Sequence, residues 1–201
     1  MRWWTSDQHF GHTNICAYSG RPYNSVKDMD ADIIARFNSV VSSDDEVYIL
    51  GDIAMGEIVS SLKLITKLNG IKVLVPGNHD RCFRGNKSEN RNFKTDWTNR
   101  YEDVGLSVVD GPIEIEMGGI EVIADHFPYR GDSREEERYL EFRPPDLGKW
   151  LLHGHVHEKW RQWDNMINVG VDAWGGYPIG DADLLNLISQ GRRNLDRLDW
   201  L

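Results

Sequence analysis

Several things are scarce in this chain, and each shortage excludes a class of protein. Cysteine occurs only at Cys16 and Cys82, neither with a CxxC partner. That argues against a disulfide framework, and both are expected as reduced thiols. No apolar run approaches the roughly 18 residues that a membrane-crossing helix needs. Residues 1–7 lack the apolar core of a signal peptide. A cytoplasmic protein without a membrane partner is the expectation. Cationic charge is also short: 23 Lys and Arg stand against 32 Asp and Glu, for a net charge of −9. This argues against broad binding to nucleic acid or acidic lipid surfaces. A small anionic substrate stays open, because a bound metal reverses the local sign of a pocket. Internal repeats and low-complexity tracts are absent, and 201 residues suit a single domain, 1–201, with a sizeable core.

What recurs instead is a short apolar run that stops at a polar turn. Trp3-Trp4 leads to Ser6-Asp7-Gln8-His9, and Val47-Tyr48-Ile49-Leu50 leads to Gly51-Asp52. Val73-Leu74-Val75 leads to Pro76-Gly77-Asn78-His79-Asp80. Val122-Ile123-Ala124 leads to Asp125-His126, and Trp150-Leu151-Leu152 to His153-Gly154-His155-Val156-His157. Runs this short, bounded by Gly and Pro, suit buried strands. Between them, Val26, Met29, Ile33, Phe37 and Val40 fall on one helical face, with Ser25 as N-cap and Asp28 placed for a capping box. Ile58, Leu62, Ile65 and Leu68 mark a second helix ending near Gly70, and Leu184, Leu185, Leu187 and Ile188 a third. Residues 113–124 read as paired strands around Gly118-Gly119. The whole is a mixed α/β pattern with helices covering sheet faces.

Two segments, 81–100 and 130–149, show no clean period. The first is locally basic, with Arg81, Arg84, Lys87, Arg91, Lys94 and Arg100 against Glu89 and Asp96. It reads as a solvated loop or as a rim facing substrate. The triplet Arg130-Gly131-Asp132 reads as chance.

Side chains at strand C-termini converge on one crevice in open sheets. Asp7, His9, Asp52, Asn78, His126, His155 and His157 would therefore share a small volume. Such a cluster is costly to bury empty, and a divalent metal would offset the cost. Three of the seven histidines fall within residues 153–157. Strand geometry puts His153, His155 and His157 on the same side, so alternation does not choose among them.

Taken in order, Asp7-x-His9, Gly51-Asp52, Gly77-Asn78-His79-Asp80, His126 and Gly154-His155-x-His157 resemble the signature of the calcineurin-like metallophosphoesterases. The resemblance spans residues 7–157. Asp7-Gln8-His9-Phe10-Gly11-His12 and Asn168-Val169-Gly170-Val171-Asp172 are further similar to its small bacterial and bacteriophage members. It implies a four-layer α/β/β/α sandwich, mixed sheets flanked by helices, with two metals at one edge. Asp7, His9 and His157 would hold the first metal, Asn78, His126 and His155 the second, and Asp52 would bridge them. His153 lies outside the Gly-His-x-His pattern and is expected to be structural, or to hydrogen-bond near the site. By the same resemblance His79 binds no metal and instead stabilises the transition state or protonates the leaving oxygen. Asp80 would orient it or clasp the turn. His12, Asn14 and Arg81 are candidate substrate contacts. Asp125 departs from the small or hydroxylic residue expected before His126, and Trp174 would pack in the core or wall the pocket.

Two metals about 3.5–4 Å apart activate water and neutralise phosphoryl oxygens without a Ser or Cys nucleophile. An N/O ligand set fits two divalent ions, Mn²⁺ first, with Fe, Zn or Ni as the other choices. The implied activity is hydrolysis of phosphate esters, foremost small phosphodiesters such as cyclic nucleotides. Phosphomonoester hydrolysis, nuclease action and a non-catalytic protein-binding scaffold follow as alternatives. A nuclease would need an extended basic groove, and a scaffold would have lost ligands. Neither sign is present.

Overall fold

A computed structural model describes residues 1–87 and 92–200. Its strands are β1 (Arg2–Thr5), β2 (Glu46–Ile49), β3 (Ile71–Leu74), β4 (Leu106–Val108), β5 (Ile113–Met117) and β6 (Ile120–Ala124). There follow β7 (Trp150–His153), β8 (Gln162–Asp164), β9 (Met166–Asn168), β10 (Ile179–Gly180) and β11 (Arg193–Leu195). Two mixed sheets result, ordered β10-β1-β2-β3-β4 and β11-β8-β9-β7-β6-β5. In the first, β1 to β4 run parallel and β10 closes the edge antiparallel. In the second, β6, β7 and β9 are parallel, and β5, β8 and β11 pair antiparallel.

Alternation along the strands explains the sandwich. Trp4, Leu50 and Val75 of the first sheet meet Val122, Ala124, Leu152 and Ile167 of the second in one core. The intervening residues point the other way. Val47, Ile49 and Leu74 pack with Met29, Ile33, Phe37 and Ile65, the apolar stripes of the covering helices. The helices on this face are α1 (Ile15–Ser19), α2 (Val26–Val40), α3 (Ile58–Leu62) and α4 (Phe93–Glu102), while α5 (Asp181–Ser189) packs Leu184, Leu187 and Ile188 into the shared core. On the outer face of the second sheet, Ile123, Leu151 and Met166 sit under Tyr129 and Trp163. The α/β architecture of mixed sheets flanked by helices is the one the sequence implied.

Local details follow the sequence with informative exceptions. Ser25 caps α2, its Oγ accepting from Asp28 N at 3.1 Å. Asp28 does not reach back to the main chain and accepts from the Ser25 hydroxyl instead, at 2.7 Å. The second helix loosens at Lys63–Lys67 into a 3₁₀ turn and ends before Gly70. β5 and β6 form the expected hairpin, with both turn glycines at positive φ. α4 was not foreseen: among its residues only Tyr101 is buried, so it shows no apolar stripe. Glu89 and Arg91, both counted in the basic segment, lie outside the described residues.

Candidate metal centre

The parallel strands β1, β2, β3, β6 and β7 all end at the same edge, and their loops are zipped together there. Asp7 N donates to Gly51 O and His9 N to Asp52 O, each at 3.0 Å. Gly154 N donates to His126 O at 3.0 Å. The turn after β3 is held by His79 N on Asp52 Oδ1 at 2.8 Å, and the turn after β7 by His155 N on Asp7 Oδ2 at 3.0 Å. Close approach forces glycine: a Cβ on Gly77 would lie 2.3 Å from Asp52 Oδ1 and 2.6 Å from the His126 ring. The backbone is strained where the candidate ligands sit. Asp7, His9, Asp52, His155 and His157 all adopt positive φ, an unfavourable region for residues with side chains. Among the described non-glycine residues only Tyr139 and Asp164 share it.

These loops bring five of the seven candidate ligands into two close groups, with Asn78 and His155 beside His126. Atoms of Asp7, His9 and His157 lie within 4.8 Å of one another, as do atoms of Asp7, Asp52 and His126. Asp52 Oδ2 is 3.7 Å from His9 Nε2 and 3.5 Å from His126 Nε2. Such gaps are too long for hydrogen bonds. They match two ligands on a shared ion, about 3–4 Å apart when each bond is about 2.0–2.2 Å. Asn78 Oδ1 lies 3.2 Å from His126 Nε2 on the other side. Asp7 Oδ1 and His9 Nε2 are buried without any hydrogen-bond partner. Burial pushes the Asp7 carboxyl up, and burial with the nearby His157 pushes the His9 imidazole well down. Buried, unpartnered and aimed at one point, this oxygen and nitrogen fit a divalent cation.

The sequence profile of the calcineurin-like phosphoesterases matches residues 3–159. The chain belongs to that family. The gene 66 protein of Mycobacterium phage L5 is 34% identical over 199 residues, covering 94% of this chain and 95% of its own. The uncharacterized protein MJ1445 of Methanocaldococcus jannaschii is 40% identical over 196 residues, covering 93% and 90%. Among solved structures, the protein of unknown function AQ665 from Aquifex aeolicus shares the fold. Its TM-score is 0.65 at 24% identity, covering 93% of this chain and 98% of that one.

In this phosphoesterase the two terminal histidines are each held from behind by a carboxylate. β7 ends at His153, so strand alternation stops there. The left-handed residues His155 and His157 then turn separate ways. His157 Nδ1 lies 3.1 Å from Asp172 Oδ2, and its ring lies 5.1 Å from that of His9. His155 Nε2 lies 3.0 Å from Asp132 Oδ2, and its ring lies 5.2 Å from that of His126. His153 points elsewhere, its Nδ1 2.7 Å from Gly154 O and its ring beside Trp160. Burial pushes its imidazole down to about 3. Arginines hold both carboxylates. Arg21 binds Asp172 through two nitrogens at 2.8 Å and donates to Gln8 O and Asp7 O. Arg138 Nη2 donates to Asp132 Oδ1 at 2.6 Å, with Arg143 at 3.4 Å.

Sequence reasoning missed Asp132 and Arg21. Asp132 belongs to the triplet read as chance, and nothing in an aperiodic loop announces a buried carboxylate. Asp80 is fully buried, with its carboxylate accepting from Gly77 N, Asp52 N and Ile53 N and from the Tyr101 hydroxyl. These contacts clasp the turn, the second of its two expected roles. Burial, then the Asp52 charge, pushes Asp80 up to about 7. Asp125 accepts from Phe127 N at 2.9 Å, and Trp174 donates to Asn168 O while packing in the shared core.

A cleft opens over the centre in two arms. The wide arm, about 560 Å³, is lined by His12, Tyr18, Arg134 and Arg138 beside His9 and His157. The narrow arm, about 240 Å³, is lined by Asn78, Arg81 and Asn86. Met55 and His79 line both. Asn14 precedes α1 as its N-cap, with its main-chain oxygen accepting from Ala17 N and Tyr18 N, and it lines neither arm.

Proposed function

We propose that the chain is a dinuclear metal-dependent phosphodiesterase acting on small substrates such as nucleotides, with open diesters favoured over cyclic nucleotides, whose two ester oxygens share one sugar. One observation carries the preference for diesters: the cleft has two arms, and they meet at His79. A diester has two substituents on one phosphorus, and each arm accepts one. A monoester would leave an arm unused.

The residues divide the work as follows. Asp7, His9 and His157 would hold one ion, and Asn78, His126 and His155 the other, with Asp52 between them. Two divalent ions there, Mn²⁺ foremost, would supply Lewis acidity toward phosphoryl oxygens and acidify the attacking water. Asn78 adds an oxygen ligand without adding charge. His79 has its main chain fixed on Asp52 Oδ1, while its side chain stays 42% exposed at the junction of the arms. From there it donates a proton to the departing oxygen, and in the wide arm His12 contacts the substituent that remains. In the narrow arm, Arg81 lies with its guanidinium 6.0 Å from the Trp97 ring and borders the leaving group.

The test is turnover by Mn²⁺-reconstituted protein on bis(4-nitrophenyl) phosphate and on 4-nitrophenyl phosphate. The diester is expected to give a kcat/KM at least about tenfold higher, a difference of about 1.4 kcal/mol. A monoester preference of that size would reverse the reading.

A further inference from the structure

We propose that the wide arm takes a substituent bearing a second phosphate, so that the favoured substrates are phosphodiesters of a phosphorylated nucleoside, with Arg134 binding the distal phosphate. The inference rests on the phosphodiesterase reading above and names the substrate class of that site. Three features of the wide arm carry it. The first is size: at about 560 Å³ it falls within the roughly 300–1,000 Å³ of pockets that hold cofactor-sized ligands, and the narrow arm, at about 240 Å³, falls below.

The second is charge. The chain carries −9, yet this arm is lined by two arginines against one acid, Glu158. The arginines differ in commitment. Arg138 is tied to Asp132 through Nη2 and Nε. Arg134 is tied to the same carboxylate only by its main-chain N, at 3.2 Å, and its guanidinium has no partner among the described residues. A pinned backbone with an uncommitted planar fork is a fitting receptor for a phosphate oxygen pair.

The third is an aromatic wall. Tyr18 is 70% exposed yet lines the arm, with the His12 ring 6.1 Å from its own. An exposed ring beside a cavity offers a stacking face for a base. Ring and anion together describe a nucleoside phosphate. In the reaction one water adds to the scissile phosphorus and the P–O bond to the narrow-arm substituent breaks. Its oxygen takes a proton, and the wide-arm product leaves as a nucleoside bisphosphate.

The test uses a matched pair, thymidine 3′-(4-nitrophenyl phosphate) with and without a 5′-phosphate, on Mn²⁺-reconstituted enzyme. Bis(4-nitrophenyl) phosphate serves as the control diester. The 5′-phosphate is expected to lower KM about tenfold, the scale of a charge-assisted hydrogen-bonded pair. In Arg134→Ala that ratio should collapse to within about twofold, and in Arg134→Lys it should survive in part. Tyr18→Ala should raise KM for both nucleosides relative to the control. Equal KM values for the pair in wild type, or an unaltered ratio in Arg134→Ala, overturn the proposal while the control diester is still cleaved. Failure to cleave all three removes the phosphodiesterase reading and this inference with it.

Discussion

His155 and His157 sit two residues apart and are braced in the same manner by unlike parts of the molecule. Behind His157 stand Asp172 and Arg21, both with fully buried side chains, in a 3₁₀ turn after β9 and in the loop after α1. Arg21 also grips the carbonyls of Asp7 and Gln8, so one guanidinium ties three segments around the candidate site at Asp7, His9 and His157. Behind His155 stand Asp132 and Arg138, both from the aperiodic segment before β7, and the Arg138 side chain is 28% exposed. The first brace belongs to the framework. The second doubles as a wall of the wide arm. A carboxylate behind a metal-binding imidazole fixes its tautomer and raises its basicity. The difference teaches that the protein isolates this task on one side and shares it with substrate contact on the other.

The largest effect should come from the group common to both sides. Asp52→Asn is expected to abolish activity and weaken both metal sites together, in contrast to any change behind a single histidine. Two tightly bound ions with near-normal turnover in that variant would sink the shared role. Next comes His79, which belongs to neither brace. His79→Ala should keep both metals yet lose roughly 10²–10⁴-fold in turnover. The loss should be smaller for a nitrophenyl ester than for an alkyl ester, whose oxygen needs the proton. Equal losses on both esters would assign it electrostatic stabilisation alone.

The braces themselves should separate by metal and by stability. Asp172→Asn should weaken one ion about 10–100-fold and spare the other, and Asp132→Asn should do the reverse. Calorimetric titration of each apo variant reads this directly. Asp172→Asn leaves a buried Arg21 uncompensated and should cost about 3 kcal/mol in denaturant unfolding. Asp132→Asn should cost less, about 2 kcal/mol, because Arg138 is partly hydrated and the buried Arg143 keeps Glu137 at 3.6 Å. Equal costs would erase the contrast between framework and pocket wall.

The last effect is in pH. Burial works to raise Asp172, but Arg21 and the His157 hydrogen bond prevail and hold it down at about 2. A depressed carboxyl contributes stability above its unfolded value, near 3.9, and loses it as pH falls through the folded one. The advantage of metal-free wild type over Asp172→Asn should therefore shrink by about 2 kcal/mol between pH 4 and pH 2. A constant gap across that window would contradict the ion pair.

The candidate ligands were legible because each is a metal-ligand residue type placed where an apolar run meets a polar, often Gly-containing turn. The same alternation that hides Trp4 and Leu152 in the shared core fixes where those strands end. The braces were not legible. Arg21 and Asp172 are 151 residues apart, and Asp132 and His155 are 23 apart with no periodic element around the aspartate. The first pairing exists only once the two sheets close on each other, and the second only once the loops after the neighbouring strands β6 and β7 meet. α4 was missed for a related reason, since a polar helix that buries one tyrosine writes no stripe into the sequence.

The central claim is a two-ion centre divided between these histidines, and metal stoichiometry tests it most directly. Metal-free wild type titrated with Mn²⁺ should bind two ions per chain. His155→Ala and His157→Ala should each bind one, and His153→Ala should still bind two. A wild type that binds no ion or a single one, or a His153→Ala that loses an ion while His157→Ala keeps both, would contradict the account.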